Sequence, residues 1–237
     1  MAQSRRNRGR ARVRVVDVST VGRLAALDTC AVSDALDSLG LPGPALGLHA
    51  VSGDRRIAGR AVTVDLVEAD GISIAPRHLC TAAVDASGPE KVIVVAHHGR
   101  THVAGWGGVL SAGAVARGSE GVIVDGAVRD LDEARQFGLT LYASTSVPVT
   151  ARKRIIERAW DVPVDIAGVR VEPGDYVLAD GSGVVFVSHE RVEEVLGIAE
   201  SIADKERQML VRVRSGEPMA TVMSANYETM LDREVLR

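Results

Sequence analysis

The sequence predicts a mixed α/β fold that contains both parallel and antiparallel strands. The central part of the chain alternates apolar strands with short helices, the order expected of a parallel sheet covered by helices. Further along, short apolar runs are separated by turn residues, as in antiparallel hairpins. Only 3% of the 237 residues are aromatic, whereas 46% are hydrophobic. The core is therefore expected to consist mainly of aliphatic side chains.

Three strands and two helices are predicted in the centre of the chain. The strands are continuous apolar runs of strand length: residues 91–96 (KVIVVA), 121–125 (GVIVD) and 139–143 (LTLYA). The helices each stop at a glycine: residues 107–117 before Gly118 and residues 129–137 before Gly138. A His- and Gly-rich loop is expected after residue 96, and Asp125-Gly126 is expected to form a turn.

The rest of the chain surrounds this centre. Further helices are predicted over residues 21–39, 72–86 and 190–213, with a loop over 41–54, a strand over 57–67 and hairpin strands within 169–188. The predicted organisation is a basic arm (1–18), a single catalytic domain (19–213) and a C-terminal tail (214–237).

Composition and charge exclude several classes of protein. The formal net charge of −3 argues against a general nucleic-acid binder. No apolar run approaches the roughly 18 residues of a membrane span, and the Arg-rich start lacks the apolar region of a secretory signal. The two cysteines, Cys30 and Cys80, are too few for a disulfide framework. They are predicted to be buried free thiols of a cytoplasmic protein.

Residues 5–14 carry six arginines and no acidic residue. Such a segment is typical of a solvated terminal arm. It could also contact RNA or an acidic surface, so both interpretations are kept.

The chemistry is expected beyond the carboxyl ends of the central strands, where ligands bind in open parallel sheets. The glycine pair Gly107-Gly108 opens a predicted helix there. Its free amides and the helix dipole would favour a carboxylate or phosphate, although close packing alone could also require the glycines. No P-loop or G-x-G-x-x-G pattern is present, so a nucleotide site is not indicated.

Arg129, Asp130 and Glu133 follow the next strand. Arginine offers a planar fork for a carboxylate, and aspartate is a hard oxygen ligand suited to Mg²⁺ or Mn²⁺. Glu133 lies on the same helical face as Asp130 and could contact the metal through water or act as a base. The alternative is an ordinary helix start with a surface ion pair.

His97, His98 and His102 lie in the loop after the first central strand. Metal binding, substrate contact and a plain polar loop are all compatible with this cluster, and His98 is taken as a candidate substrate contact. No Ser or Cys triad is legible, because Gly181-Ser182-Gly183 is not a nucleophile elbow.

Gly108, twenty intervening residues, Arg129-Asp130, two more residues and Glu133 match the G-x20-R-D-x2-E/D signature of the RraA-like family. Residues 20–195 resemble that family, with further matches at SDAL (33–36), GRAVTV (59–64), VIVV (92–95), GVIVDGAVRD (121–130) and residues 169–180. The family includes regulators of ribonuclease E activity. It also includes aldolases that release pyruvate from 4-hydroxy-4-methyl-2-oxoglutarate or 4-carboxy-4-hydroxy-2-oxoadipate.

The resemblance implies a compact αββα sandwich of the swivelling β/β/α type, assembled as a homotrimer or homohexamer with sites between subunits. It implies that Asp130 anchors Mg²⁺ or Mn²⁺. Arg129 and the amides of Gly107, Gly108, Val109 and Leu110 would hold a pyruvoyl carboxylate. The reaction would proceed through an enolate that the metal stabilises.

The chain departs from the aldolases in two places. They carry an acid at the position of Gly108, so its absence argues against aldol cleavage more than against oxaloacetate-type decarboxylation. His97 and His98 follow the strand where relatives often have an Asp and glycines, which suggests a different substrate. The acidic residue that a neighbouring subunit supplies in this family is not assigned.

Three hypotheses follow. The first is a metal-dependent carbon–carbon lyase acting on a small 2-oxo acid, by aldol cleavage or decarboxylation. The second is a non-catalytic regulator that binds a ribonuclease or an RNA-processing complex. The third is an enzyme that reuses this metal site on an unrelated substrate. The Arg129–Asp130–Glu133 set favours the first, with Arg129, Asp130 and Glu133 as catalytic residues.

Overall fold

The computed structural model of the chain describes residues 19–69 and 77–223. Its helices are α1 (Thr20–Ala25), α2 (Thr29–Leu39), α3 (Thr81–Ala86), α4 (Gly108–Arg117), α5 (Leu131–Gln136), α6 (Val192–Arg214) and α7 (Met219–Val222). Its strands are β1 (Pro44–Ala45), β2 (His49–Ser52), β3 (Ile57–Glu68), β4 (Lys91–Ala104), β5 (Gly121–Val128), β6 (Leu141–Ser146), β7 (Ile155–Trp160), β8 (Val164–Ile166), β9 (Val169–Val171), β10 (Tyr176–Asp180) and β11 (Gly183–Val187).

One mixed sheet organises the described part of the chain. Its strand order is β1-β11-β10-β3-β4-β5-β6-β2, and β7 pairs with β3 outside this path. Strands β3, β4, β5 and β6 are parallel neighbours, whereas β10 and β7 run antiparallel to β3. β8 and β9 form a separate antiparallel hairpin. The predicted mixed α/β class is therefore confirmed.

Apolar side chains fill both faces of the sheet, with few aromatic residues among them. One cluster joins the central parallel strands to α3 and α4 and includes Val95, Trp106 and Leu110. A second cluster lies beneath α1, α2 and α6, and a third beneath the β8–β9 hairpin. β5 is buried at every position. Burial on both faces explains why its sequence is a continuous apolar run rather than an alternation.

The central strands extend further than predicted. β4 continues from residue 96 to Ala104 through the segment predicted to be a loop, with two shifts in its register against β5. His98 and Gly99 adopt φ values of 55° and 68° where the backbone leaves the regular ladder. The Asp125-Gly126 pair also lies inside β5 and does not form the expected turn.

The flanking elements differ more from the predictions. The helix predicted over 21–39 is two helices, because Asp28 accepts a hydrogen bond from the Ala31 amide and starts α2 anew. Of the helix predicted over 72–86, residues 81–86 are helical, and residues 70–76 lie outside the described residues. The short strands within 41–54 and the two strands within 155–166 were not predicted.

The terminal segments and cysteines complete the comparison. Residues 1–18 of the predicted arm and residues 224–237 lie outside the described residues, and α7 falls in the predicted tail. Cys80 is buried as predicted, but Cys30 is exposed, because it lies on the outer side of α2. Across residues 19–69 and 77–223, none of the helices combines the length and apolar character needed to cross a membrane.

His97 lies in a slot between two glycines. The side chain is fully buried, and Nε2 is 2.8 Å from the Val103 carbonyl oxygen. A Cβ atom at Gly105 would lie 2.9 Å from the ring, and one at Gly126 would lie 2.6 Å from it. Nδ1 has no hydrogen-bond partner in the described part of the chain. Burial lowers the pKa of His97, and the bond to Val103 opposes this only in part.

We expect this histidine to make the free energy of unfolding decrease as the pH falls below about 6.5. In that range the unfolded imidazole takes up more protons than the buried ring, whose pKa is lowered, so unfolding is favoured. His97→Gln keeps an N–H donor but cannot titrate. Urea unfolding at pH 7.5 and pH 5.5 should show a larger loss of stability in the wild type than in the variant. Equal losses would contradict this role of His97.

Candidate active site

The ends of β4 and β5 bring together the two segments in which the site was predicted. The Arg129 amide donates a hydrogen bond to the Trp106 carbonyl, at 3.0 Å, which ties the end of β5 to the turn before α4. The Trp106 indole is buried, and its Nε1 donates to Ser111 Oγ at 2.9 Å. The backbone of both segments is thereby fixed at the carboxyl edge of the parallel sheet.

Asp130 holds the centre of this arrangement. It adopts a left-handed conformation (φ 59°, ψ 42°) immediately before α5, which is uncommon for a residue other than glycine. Its Oδ2 accepts a hydrogen bond from the Gly108 amide at 3.0 Å and lies 3.1 Å from Arg129 Nε. Its Oδ1 receives no hydrogen bond from the described residues. Strained backbone at a half-exposed carboxylate is a common feature of functional sites.

The backbone at Gly107 and Gly108 closely approaches the side chains of Asp130 and Glu133. A Cβ at residue 107 would lie 2.9 Å from Asp130 Oδ2. A Cβ at residue 108 would lie 1.7 Å from Glu133 Oε2, so the Glu133 carboxylate fills the space where a side chain would begin. The Gly108 amide is already bonded to Asp130. This amide was predicted to bind a substrate carboxylate, but it binds the Asp130 carboxylate instead.

The next two amides of α4 remain open. Those of Val109 and Leu110 have no acceptor in the described part of the chain, since they belong to the first turn of a helix without a side-chain cap. Val109 is also 88% exposed although it is a large apolar residue. Together with the helix dipole, the two amides provide a place for an anion beside Arg129.

A cavity of about 160 Å³ opens over this helix start. Its lining residues are His78, Leu79, Ala104, Gly105, Trp106, Gly107, Gly108, Val109, Leu110, Arg129, Asp130, Thr150, Ala151 and Arg152. A wider depression of about 570 Å³ lies on the other side of Arg129 and Asp130 and includes Glu133. Arg129 and Asp130 thus separate two open spaces, and Glu133 faces the wider one.

The structure brings together most of the predicted site residues. Arg129, Asp130, Gly107, Gly108, Val109 and Leu110 all line the same cavity, and Glu133 lies against Gly108. His98 is elsewhere. Its Nε2 lies 2.8 Å from Asp65 Oδ1, and Asp65 also binds the Arg158 guanidinium. Because Asp65 and the backbone twist at residue 98 hold the ring away from the cavity, the structure does not support His98 as a substrate contact.

Sequence reasoning missed two residues of the cavity, His78 and Arg152. His78 precedes α3, and Arg152 lies in the turn before β7. Neither residue follows a predicted central strand, so the expectation that ligands bind at the carboxyl ends of parallel strands does not locate them. The one feature of the sequence that could have pointed to Arg152 is the run of three basic residues, Arg152-Lys153-Arg154.

The donor set fits a cation that keeps much of its water. Among residues 19–69 and 77–223, no group of three or more His, Cys, Asp and Glu side chains could hold a metal. Asp130 and Glu133 nevertheless place two carboxylates around the Gly108 backbone. Mg²⁺ is commonly held by one or two carboxylates together with waters and substrate oxygens, whereas structural zinc needs a closed shell of protein ligands. These residues therefore suit Mg²⁺ or Mn²⁺ better than zinc.

The chain belongs to the RraA-like family, since the family model described as Aldolase/RraA matches residues 29–186. It is 34% identical over 164 residues to a Deinococcus radiodurans protein named "Putative 4-hydroxy-4-methyl-2-oxoglutarate aldolase", covering 69% of this chain and 96% of that protein. It is also 27% identical over 199 residues to Protein DlpA of Legionella pneumophila, covering 83% of this chain. The chain spans only 32% of DlpA.

Solved structures show the same fold. An uncharacterized protein from Pseudomonas syringae pv. tomato superposes with a TM-score of 0.77 at 29% identity, covering 86% of this chain and 96% of that one. The RNA-processing inhibitor RraA from Thermus thermophilis superposes with a TM-score of 0.53 at 27% identity, covering 66% and 91%. The predicted family and fold are therefore confirmed.

Proposed function

We propose that this protein is a divalent-metal-dependent carbon–carbon lyase that releases pyruvate or a related enolate from a small 2-oxo acid. The observation that carries the proposal is the convergence of Arg129, Asp130 and the open amides of α4 on one cavity. A cation, an acid and an anion-binding helix start are the groups needed to hold a 2-oxo carboxylate beside a metal. The name of the D. radiodurans relative supports the same chemistry.

The substrate carboxylate is placed between Arg129 and α4. The Arg129 side chain is 36% exposed and lines the cavity, so its guanidinium can offer N–H donors to an incoming carboxylate. The Val109 and Leu110 amides would bind the same group from the helix side. These contacts orient the 2-keto group toward Asp130.

Asp130 is the proposed metal ligand, through Oδ1, which accepts no hydrogen bond from the described residues. Its Oδ2 contacts the Gly108 amide and Arg129 Nε. Because these two contacts hold the carboxylate in place, the position of Oδ1 is fixed as well. A bound Mg²⁺ or Mn²⁺ would polarise the 2-keto oxygen and stabilise the negative charge that develops there as the carbon–carbon bond breaks. The protein contributes the orientation of both the carboxylate and the keto oxygen.

Glu133 is proposed to hold the proton that the reaction moves. The aldolases carry an acid at the position of Gly108, and in this chain the Glu133 carboxylate occupies the space beside that glycine. A carboxylate is therefore present although residue 108 has no side chain. This compensation keeps aldol cleavage possible alongside decarboxylation.

The assembly is proposed to be a homotrimer or homohexamer of cytoplasmic location, with a small 2-oxo acid as its partner molecule and no membrane or nucleic acid. Val109 at the cavity mouth and Leu46 near β1 are 88% and 79% exposed. Large apolar side chains in such positions favour burial against another subunit.

The direct test is release of pyruvate from a panel of 2-oxo acids, including oxaloacetate and 4-hydroxy-4-methyl-2-oxoglutarate. We expect turnover with Mg²⁺ or Mn²⁺, loss of turnover with excess EDTA, and recovery when the metal is added back. Circular dichroism with EDTA serves as the control that the fold persists. Absence of turnover on every substrate by folded protein would refute the lyase and favour the regulator, which predicts inhibition of a ribonuclease.

A further inference from the structure

Arg152 lines the cavity from a turn whose backbone is held by hydrogen bonds, and its side chain has no acidic partner among the described residues. Its amide donates to Thr150 Oγ1 at 3.2 Å, and the Ala151 carbonyl accepts from the Arg154 and Ile155 amides. The preceding Val149 is bonded to β4 through the Ala104 amide, at 3.0 Å. The turn is thus anchored to the sheet while the exposed guanidinium has no acidic partner in the described part of the chain.

The neighbouring arginines differ from Arg152 in this respect. The structure pairs them with acids or a carbonyl: Arg77 with Glu157, Arg129 with Asp130, Arg154 with the Thr150 carbonyl, and Arg158 with Asp65. Among residues 19–69 and 77–223, Arg152 therefore contributes a positive charge that no carboxylate pairs with. A charge of this kind at the edge of a cavity favours binding of an anion.

The cavity continues past Arg152. A recess of about 230 Å³ is lined by Arg77, His78, Leu79, Arg152, Lys153, Ile155, Ile156 and Glu157. It shares His78, Leu79 and Arg152 with the cavity over α4, so Arg152 stands where the two spaces meet. Lys153 adds a second cation, and Glu157 is already bonded to Arg77 and to the Cys80 amide. The recess therefore presents excess positive charge to any molecule extending out of the first cavity.

We infer that Arg152 is a specificity-determining residue that binds a second, distal carboxylate of the substrate. The inference rests on the proposed function, in which Arg129 and α4 hold the carboxylate next to the keto group. A substrate with one carboxylate would leave Arg152 unpaired, whereas a 2-oxo dicarboxylate would span from Arg129 to Arg152. The planar guanidinium suits such a group because it can donate two parallel hydrogen bonds.

The test uses 2-oxoglutarate and its 5-methyl ester as probes, because the two differ in the charge of the distal group. Both lack a leaving group for aldol cleavage, so calorimetry in the presence of Mg²⁺ measures binding alone. The wild type should bind the dicarboxylate about tenfold or more tightly than the ester, the magnitude expected of one charge-assisted contact. Arg152→Gln should abolish this preference, and Arg152→Lys should restore part of it.

Arg117→Gln is the matched control, since it removes the same charge from the far end of α4 and should retain the preference. The inference would be overturned if Arg152→Gln still preferred 2-oxoglutarate to its ester, or if the wild type showed no such preference. Either result would count whether or not the protein is a lyase. Loss of preference in a protein without turnover would support the role of Arg152 and refute the lyase. Failure of every 2-oxo acid to bind would refute both.

Discussion

Replacing Asp130 with asparagine is expected to reduce turnover of the 2-oxo acid by roughly 10³-fold, the scale seen when one preorganised electrostatic group is removed. The variant keeps an oxygen that can accept the Gly108 hydrogen bond but loses the negative charge that would hold a divalent cation. Asparagine also tolerates the left-handed conformation of residue 130, so the backbone should be preserved. Steady-state release of pyruvate at saturating Mg²⁺ measures the effect.

Asp132→Asn is the control for this substitution. Asp132 lies two residues further along the chain, in α5, and its fully exposed side chain pairs with Arg135. It should retain nearly all the activity, which would separate the role of Asp130 from a general effect of charge. Near-normal turnover in Asp130→Asn, with the thermal unfolding temperature unchanged, would show that the metal is not held at this residue.

Gly126→Ala is expected to destabilise the fold by about 3 kcal/mol, at the upper end of the cost of overpacking a core. The added Cβ would lie 2.6 Å from the His97 ring and 2.8 Å from the Arg100 carbonyl oxygen. Backbone cannot move aside as a flexible side chain can, and the glycine has a φ of 149°, which other residues rarely adopt. Urea unfolding should show a lower midpoint with an unchanged slope.

Gly181→Ala provides the comparison, because a Cβ at that position meets no atom within 4 Å and its backbone is unstrained. We expect its stability to lie within about 0.5 kcal/mol of the wild type. If Gly126→Ala were equally mild, the slot around His97 would have to be far more adaptable than its geometry indicates.

The central strands could be predicted because burial on both faces leaves a continuous apolar sequence. The run at 121–125 is such a case, and the structure extends it to Val128. The continuation of β4 could not be predicted, since its second half is polar and contains His98 and Gly99. Its strand character comes from pairing with β5, which is a tertiary effect that local propensity does not report.

Some residues of the candidate site could likewise be predicted from the sequence, and others could not. Arg129 and Asp130 follow a strand that is evident in the sequence, so the rule for parallel sheets locates them. His78 and Arg152 reach the cavity only because α3 and the turn before β7 fold back over the end of the sheet. His98 follows a predicted strand as well, yet Asp65 holds its ring elsewhere. Proximity to a strand end is thus a useful but incomplete guide to the residues of a site.

The parallel pairing of strands β3, β4, β5 and β6 affects how the cavity forms during folding. Each pair joins strands that are well separated along the chain, as in the register of Arg60 with Lys91 and of Val92 with Gly121. Closing such loops is slow, because chain entropy is lost before the contacts form. The cavity draws its walls from segments between residues 78 and 152, so no short fragment contains it. Formation of the cavity during refolding would therefore mark the completion of the sheet rather than its nucleation.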